Sequence, residues 1–142
     1  MFHAGIKPED AGLIVSCSWD VANEKCLHDT VTLDTSFKRG KKEDLAHIVS
    51  LDTCVNLINH NVASGYLKLK LTVLKTWQIK KISVVSEARI IEIYGKYGEY
   101  MKTCSAEFFD EYENMSVYVA EAVLTEPYFQ CILKASFYIE VL

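Results

Sequence analysis

Several groups of residues in the sequence have side chains capable of chemistry. The histidines are His3, His28, His47 and His60. No HxH or HxxxH pair brings two imidazoles to one metal, and none sits beside a serine or cysteine in a nucleophile motif. Nucleophilic catalysis needs a base within hydrogen-bond reach, which here only folding could supply, so the histidines read as scattered loop residues. His60 stands apart because Asn59 and Asn61 flank it, and such a polar cluster on a loop could line a ligand site. The acids Glu107, Asp110, Glu111 and Glu113 offer oxygen ligands for calcium. They lack the central glycine and terminal bidentate glutamate of an EF-hand loop, and a solvated turn is the simpler reading.

The cysteines Cys17, Cys26, Cys54, Cys104 and Cys131 show no CxxC or CxH spacing, so the short turns that pre-cluster zinc ligands are missing. Their number is odd and no secretory signal precedes them. They read as reduced thiols acting as small buried hydrophobes, which places the protein inside the cell. Cys26, among Asn23, Glu24, Lys25 and His28, is expected to be the most exposed.

Gly95-Lys96-Tyr97-Gly98 lacks the GxxxxGK[ST] spacing of a phosphate cradle, and it precedes a strand rather than opening a helix. It reads as a hairpin turn. Tyr94, Tyr97 and Tyr100 cluster around this turn, which also carries Lys96; if exposed together they form a peptide- or sugar-binding face, since aromatic rings give contact area at low entropy cost, and if not they are edge-of-core residues. The basic run Lys38-Arg39-Gly40-Lys41-Lys42 could meet anionic lipid, phosphate or an import receptor. With Glu43 and Asp44 adjoining, it reads as a soluble loop. No metal and no cofactor is expected from these patterns.

The elements that must position these residues are mostly strands. Over 66–74, Leu67, Leu69, Leu71 and Val73 alternate with Lys68, Lys70 and Thr72, the period of a strand with one buried face. Residues 13–19 alternate likewise, placing Leu13, Val15, Cys17 and Trp19 inside. Further strands are read at 77–86, with a kink or bulge at Lys80-Lys81, and at 89–94. Others are read at 100–109, at 115–124 and from 129 onward. Asp110 to Asn114 reads as a connection, and Glu126-Pro127 as a strand end, because proline cannot donate to a ladder. Leu45, Ile48 and Val49 fit one short helix within 43–60. The prediction is an all-β sandwich.

Composition sets the bounds. A chain of 142 residues predicts one domain able to fold without a staple. Half the residues are hydrophobic and only two are proline, which excludes disorder. No apolar run is long enough for a membrane-spanning helix, and a net charge of −4 argues against a dedicated nucleic-acid binder. The apolar ending Phe137 to Leu142 reads as an unfinished strand, so the chain is expected to be part of a longer protein.

The run Trp77 to Tyr94, with its Arg89-Ile90-Ile91-Glu92-Ile93-Tyr94 segment, resembles a passage of galactose-binding-like (discoidin-type) jelly rolls. Its continuation through Gly98-Glu99-Tyr100-Met101 and Ser116 to Glu121 is similar to the N-terminal region of the family of the protein associated with ABC transporters, PAAT. The matching stretch is 77–137. The resemblance implies an intracellular ATPase that regulates mitochondrial ABC transporters, with those transporters as protein partners. No Walker A motif is present, so the resemblance carries over no catalytic residue. Three functions follow: a protein-interaction domain with no chemistry of its own, an ATPase domain, or a carbohydrate or phospholipid head-group binder. In such sandwiches ligands meet end loops, here 38–44, 59–65, 95–98 and 110–114.

Overall fold

Local alternation becomes strand wherever a sheet can bury one face. The computed structural model describes residues 5–6, 11–22, 25–34, 49, 54–60, 66–74 and 76–136. Twelve strands lie among them: β1 (Gly5–Ile6), β2 (Ile14–Cys17), β3 (Asp20–Val21), β4 (Leu33–Asp34), β5 (Leu57–Ile58), β6 (Tyr66–Thr72), β7 (Ile79–Ser86), β8 (Ile90–Tyr94), β9 (Tyr100–Ser105), β10 (Glu107–Tyr112), β11 (Met115–Tyr128) and β12 (Gln130–Ser136). A single 3₁₀ turn at Leu27–Thr30 is the helical element among the described residues.

Every pairing is antiparallel. One sheet has the order β2-β6-β12-β8-β9 and the other β10-β11-β7, with the two-stranded ribbons β1-β4 and β3-β5 beside them. The chain passes from β6 in the first sheet to β7 in the second, back to β8 and β9, across to β10 and β11, and returns to β12. This is the all-β sandwich of jelly-roll type expected from the sequence.

The core fills the seam between the sheets. Ile91, Ile93, Cys104, Cys131, Leu133 and Ala135 from the five-stranded sheet meet Ile82, Ala120, Ala122 and Leu124 from the other. Small alanines on β11 let the sheets approach closely, as dense packing requires. A second cluster joins Leu13, Val15 and Val73 to Leu27, Val31, Trp77 and Phe129. There His28 Nε2 donates to the Leu13 carbonyl at 3.0 Å, tying the 3₁₀ turn to the chain just before β2. The thiols are all free; Cys104 and Cys131 are buried, Cys17 and Cys54 half-buried, and Cys26 exposed.

Four expectations change. The stretch read as one strand over 100–109 is two strands, broken at Ala106, and the acids read as a connection mostly lie in β10. Only Glu113 and Asn114 turn, with φ of 44° and 69°, the positive pair that a type I′ hairpin demands. Pro127 does not end β11, because the register slips between Val123 and Tyr128 and an irregular stretch needs no donor there. That slip lies opposite Lys80, since Lys81 still pairs with Val123, so the extra residues belong to β11 rather than to a kink or bulge at Lys80-Lys81. The helix allowed within 43–60 falls mostly outside the described residues; of its described part, Leu57–Ile58 is strand.

Candidate functional site

The site is built by register. Strand β12 lies between β6 and β8, pairing Lys134 with Lys68 on one side and Glu92 on the other. One step along, Ile132 pairs with Lys70 and Tyr94, and Tyr94 pairs with Tyr100. The alternation that sends Leu67, Leu69, Leu133 and Ile93 into the core sends all these side chains to the opposite face. The outer face of the five-stranded sheet therefore carries Lys68, Lys70, Lys134, Tyr66, Tyr94 and Tyr100. Lys68, Tyr94, Gly98, Ile132 and Lys134 line a depression of about 230 Å³ on it.

Contacts fix the arrangement. The Lys134 ammonium sits 3.8 Å from the Tyr66 ring centroid and the Lys68 ammonium 5.7 Å from the same centroid, both within cation–π range. Tyr94 and Tyr100 meet edge to face with centroids 5.9 Å apart. The Tyr94 hydroxyl donates to Glu92 Oε2 at 2.7 Å. That bond to a carboxylate, aided by lost solvation, raises the Tyr94 pKa above its ordinary value, because ionising the phenol would forfeit the bond. Among the described residues no carboxylate forms an ion pair with Lys68, Lys70 or Lys134. The face is thus cationic with an aromatic margin, in a chain of net charge −4.

The β8–β9 hairpin forms one rim. Gly95 and Glu99 close it, with the Gly95 amide donating to the Glu99 carbonyl at 2.9 Å and the Gly98 amide to the Gly95 carbonyl at 3.1 Å. The Tyr97 amide donates to Glu99 Oε2 at 2.8 Å. Gly98 adopts φ 79°, the left-handed residue that completes a three-residue hairpin loop. Tyr97 is 86% exposed, while the Lys96 ammonium lies 4.8 Å from the Phe129 centroid and 5.5 Å from that of Tyr97.

Of the residues singled out from sequence, Lys96, Tyr97 and Tyr100 fall together on this hairpin. Asn59 and His60 do not join them. They follow β5 in the β3-β5 ribbon, where His60 Nε2 lies 3.4 Å from Asp20 Oδ2. That ribbon continues from β2, the edge strand opposite β9 in the five-stranded sheet. Asn61, His3, His47 and the basic segment 38–44 lie outside the described residues. Sequence reasoning missed Lys68, Lys134 and Tyr66 as site residues. The alternation of 66–72 marked Lys68 and Lys70 as outward-facing, but nothing local brings Lys134 beside them.

The arrangement can bind anionic and aromatic or apolar groups. Among the described residues no group of three His, Cys, Asp or Glu side chains could hold a metal, and no helix is long and apolar enough to cross a membrane. Fold and site define an antiparallel β-sandwich with one cationic, aromatic sheet face. A model of the family described as ATPase PAAT-like matches residues 55–135, more than half of the chain and all three lysines of the face, and the chain belongs to that family. No curated protein and no solved structure matches the chain.

Proposed function

We propose that this chain is the recognition domain of a PAAT-like protein, which docks a protein partner on the outer face of its five-stranded sheet and thereby regulates mitochondrial ABC transporters. The observation that carries this reading is the concentration of Tyr94, Tyr100 and Ile132 beside the exposed Tyr97 hairpin, margined by lysines. Tyrosine is enriched at protein interfaces, where it buries a large ring yet keeps a polar tip. The family description supports a second reading, in which the lysines hold the phosphates of ATP. Size argues against it. The depression of about 230 Å³ is smaller than the roughly 300–1,000 Å³ of small-molecule sites, and its lysines stand on strands without a glycine-rich cradle of amides.

A photoreactive residue at Thr103, exposed on the same face, tests the proposal. In cells it should give adducts with the transporter or its associated proteins, while the same residue at Ser83 on the other sheet should not. Absence of adducts from Thr103, or Mg-ATP turnover by the purified chain that is lost in Lys68→Ala, would refute docking as the function.

A further inference from the structure

We infer that the segment recognised on this face is an extended acidic peptide, its carboxylates gripped by Lys68, Lys70 and Lys134; the inference rests on the protein-docking reading above.

The argument begins with charge. Lys68 and Lys134 are direct cross-strand neighbours, and like charges opposite one another destabilise a sheet. The one acid in their row is Glu92, the cross-strand neighbour of Lys134, which keeps its charge while accepting from the Tyr94 hydroxyl, so the row carries two positive charges against one negative. Tyr66 holds this pairing in place, because a single ring attracts both ammonium groups and offsets part of their repulsion. Positive charge is therefore gathered and held ready on one face of a chain that is acidic as a whole. Its complement is a partner with concentrated negative charge.

Spacing narrows the chemistry. Lys68 and Lys70 project from one face of β6, about 6.6 Å apart along the strand. An extended peptide places side chains of alternate residues on one side at the same repeat. Two carboxylates two residues apart therefore meet Lys68 and Lys70 together, and Lys134 approaches the first from the neighbouring strand. The Ile132 and Tyr94 side chains in the floor of the depression add apolar contact beside the ion pairs.

The test uses the full chain and a fluorescein-tagged pentapeptide with glutamate at its first, third and fifth positions and serine between. A second peptide carries glutamine in place of glutamate. Anisotropy titrations at an ionic strength of about 0.15 M, where a charge more than about 8 Å away is largely screened, should show the acidic peptide binding at least about tenfold more tightly than the glutamine version. Lys68→Glu should weaken binding about tenfold, since attraction becomes repulsion. Lys102→Glu, an equal charge change on an exposed β9 residue across from Ile93, should leave it within about twofold.

Equal binding of both peptides, or equal loss in the two variants, would overturn the inference. So would self-association of the chain that disappears in Lys68→Glu, because the occupant would then be a second copy. Lys68 is exposed, so its substitution tests binding without emptying the core. Adducts from Thr103 that persist in Lys68→Glu would overturn the acidic-peptide inference and leave docking intact. Peptide binding without adducts would refute docking alone.

Discussion

If the lysine face is kept for a partner, the repulsion between its charges should weigh on the stability of the domain alone. The perturbation is Lys68→Glu. Both ammonium groups lie near the Tyr66 centroid, at 5.7 and 3.8 Å, so they are no further apart than the sum of those distances, about 9.5 Å. At that separation and the dielectric of bulk water, two unit charges repel by about 0.4 kcal/mol. Glutamate at position 68 turns the repulsion into attraction of equal size, a swing of about 0.9 kcal/mol, and more if the groups lie closer or less wetted. Lysine and glutamate are similarly poor strand formers, so propensity contributes little. Loss of the Lys68 ammonium from the Tyr66 ring, worth about 0.5–1 kcal/mol at an exposed site, offsets much of that swing, so the readout is its salt dependence. Urea unfolding should find the stability of the variant relative to wild type higher by about 0.9 kcal/mol at about 0.01 M ionic strength than at about 1 M, where the Debye length is near 3 Å. A difference from wild type that is the same at both salt concentrations would refute the claim that the lysines lie in each other's field.

Other outcomes follow from packing, backbone and protonation. Leu133→Ala removes a side chain that is 3% exposed in the centre of the sandwich, and should cost about 2–5 kcal/mol in denaturant unfolding. Gly98→Ala places a Cβ in open space at φ +79°, so its cost of about 1–2 kcal/mol should be purely conformational and leave the m-value unchanged. Burial, helped by the negative charge of Glu99, pushes the Cys131 thiol up to about 11. The native state then holds a proton that the unfolded chain releases from about pH 8.5. This contribution is complete below that pH and is lost as pH approaches 11, by roughly 2–3 kcal/mol. Stability curves of the wild type and Cys131→Ala should therefore converge with rising pH, and parallel curves would contradict the burial of that thiol.

Much of this protein was written in its sequence. A period of two in hydropathy is local, so Leu67, Leu69 and Leu71 declared a strand and a buried face without reference to the rest of the chain, and the same signal found β2. The pair Gly95 and Gly98 announced a hairpin because a left-handed turn position favours glycine. Ends of elements were harder to read. Whether Pro127 stops a strand depends on whether its neighbour requires a donor there, and whether Asp110 turns depends on where β11 begins. Both are facts about a partner strand.

The site belongs to tertiary structure for the same reason. The sequence determined that Lys68 and Lys70 face outward and that Tyr94 and Tyr100 flank a turn. It could not determine that β12 inserts between β6 and β8, since strand order is set by burying two sheets against each other rather than by neighbours in the chain. That insertion puts Lys134 opposite Lys68, lays both ammonium groups against Tyr66, and separates His60 from the hairpin. Local alternation chose which side chains reach the surface, and long-range register chose which of them meet.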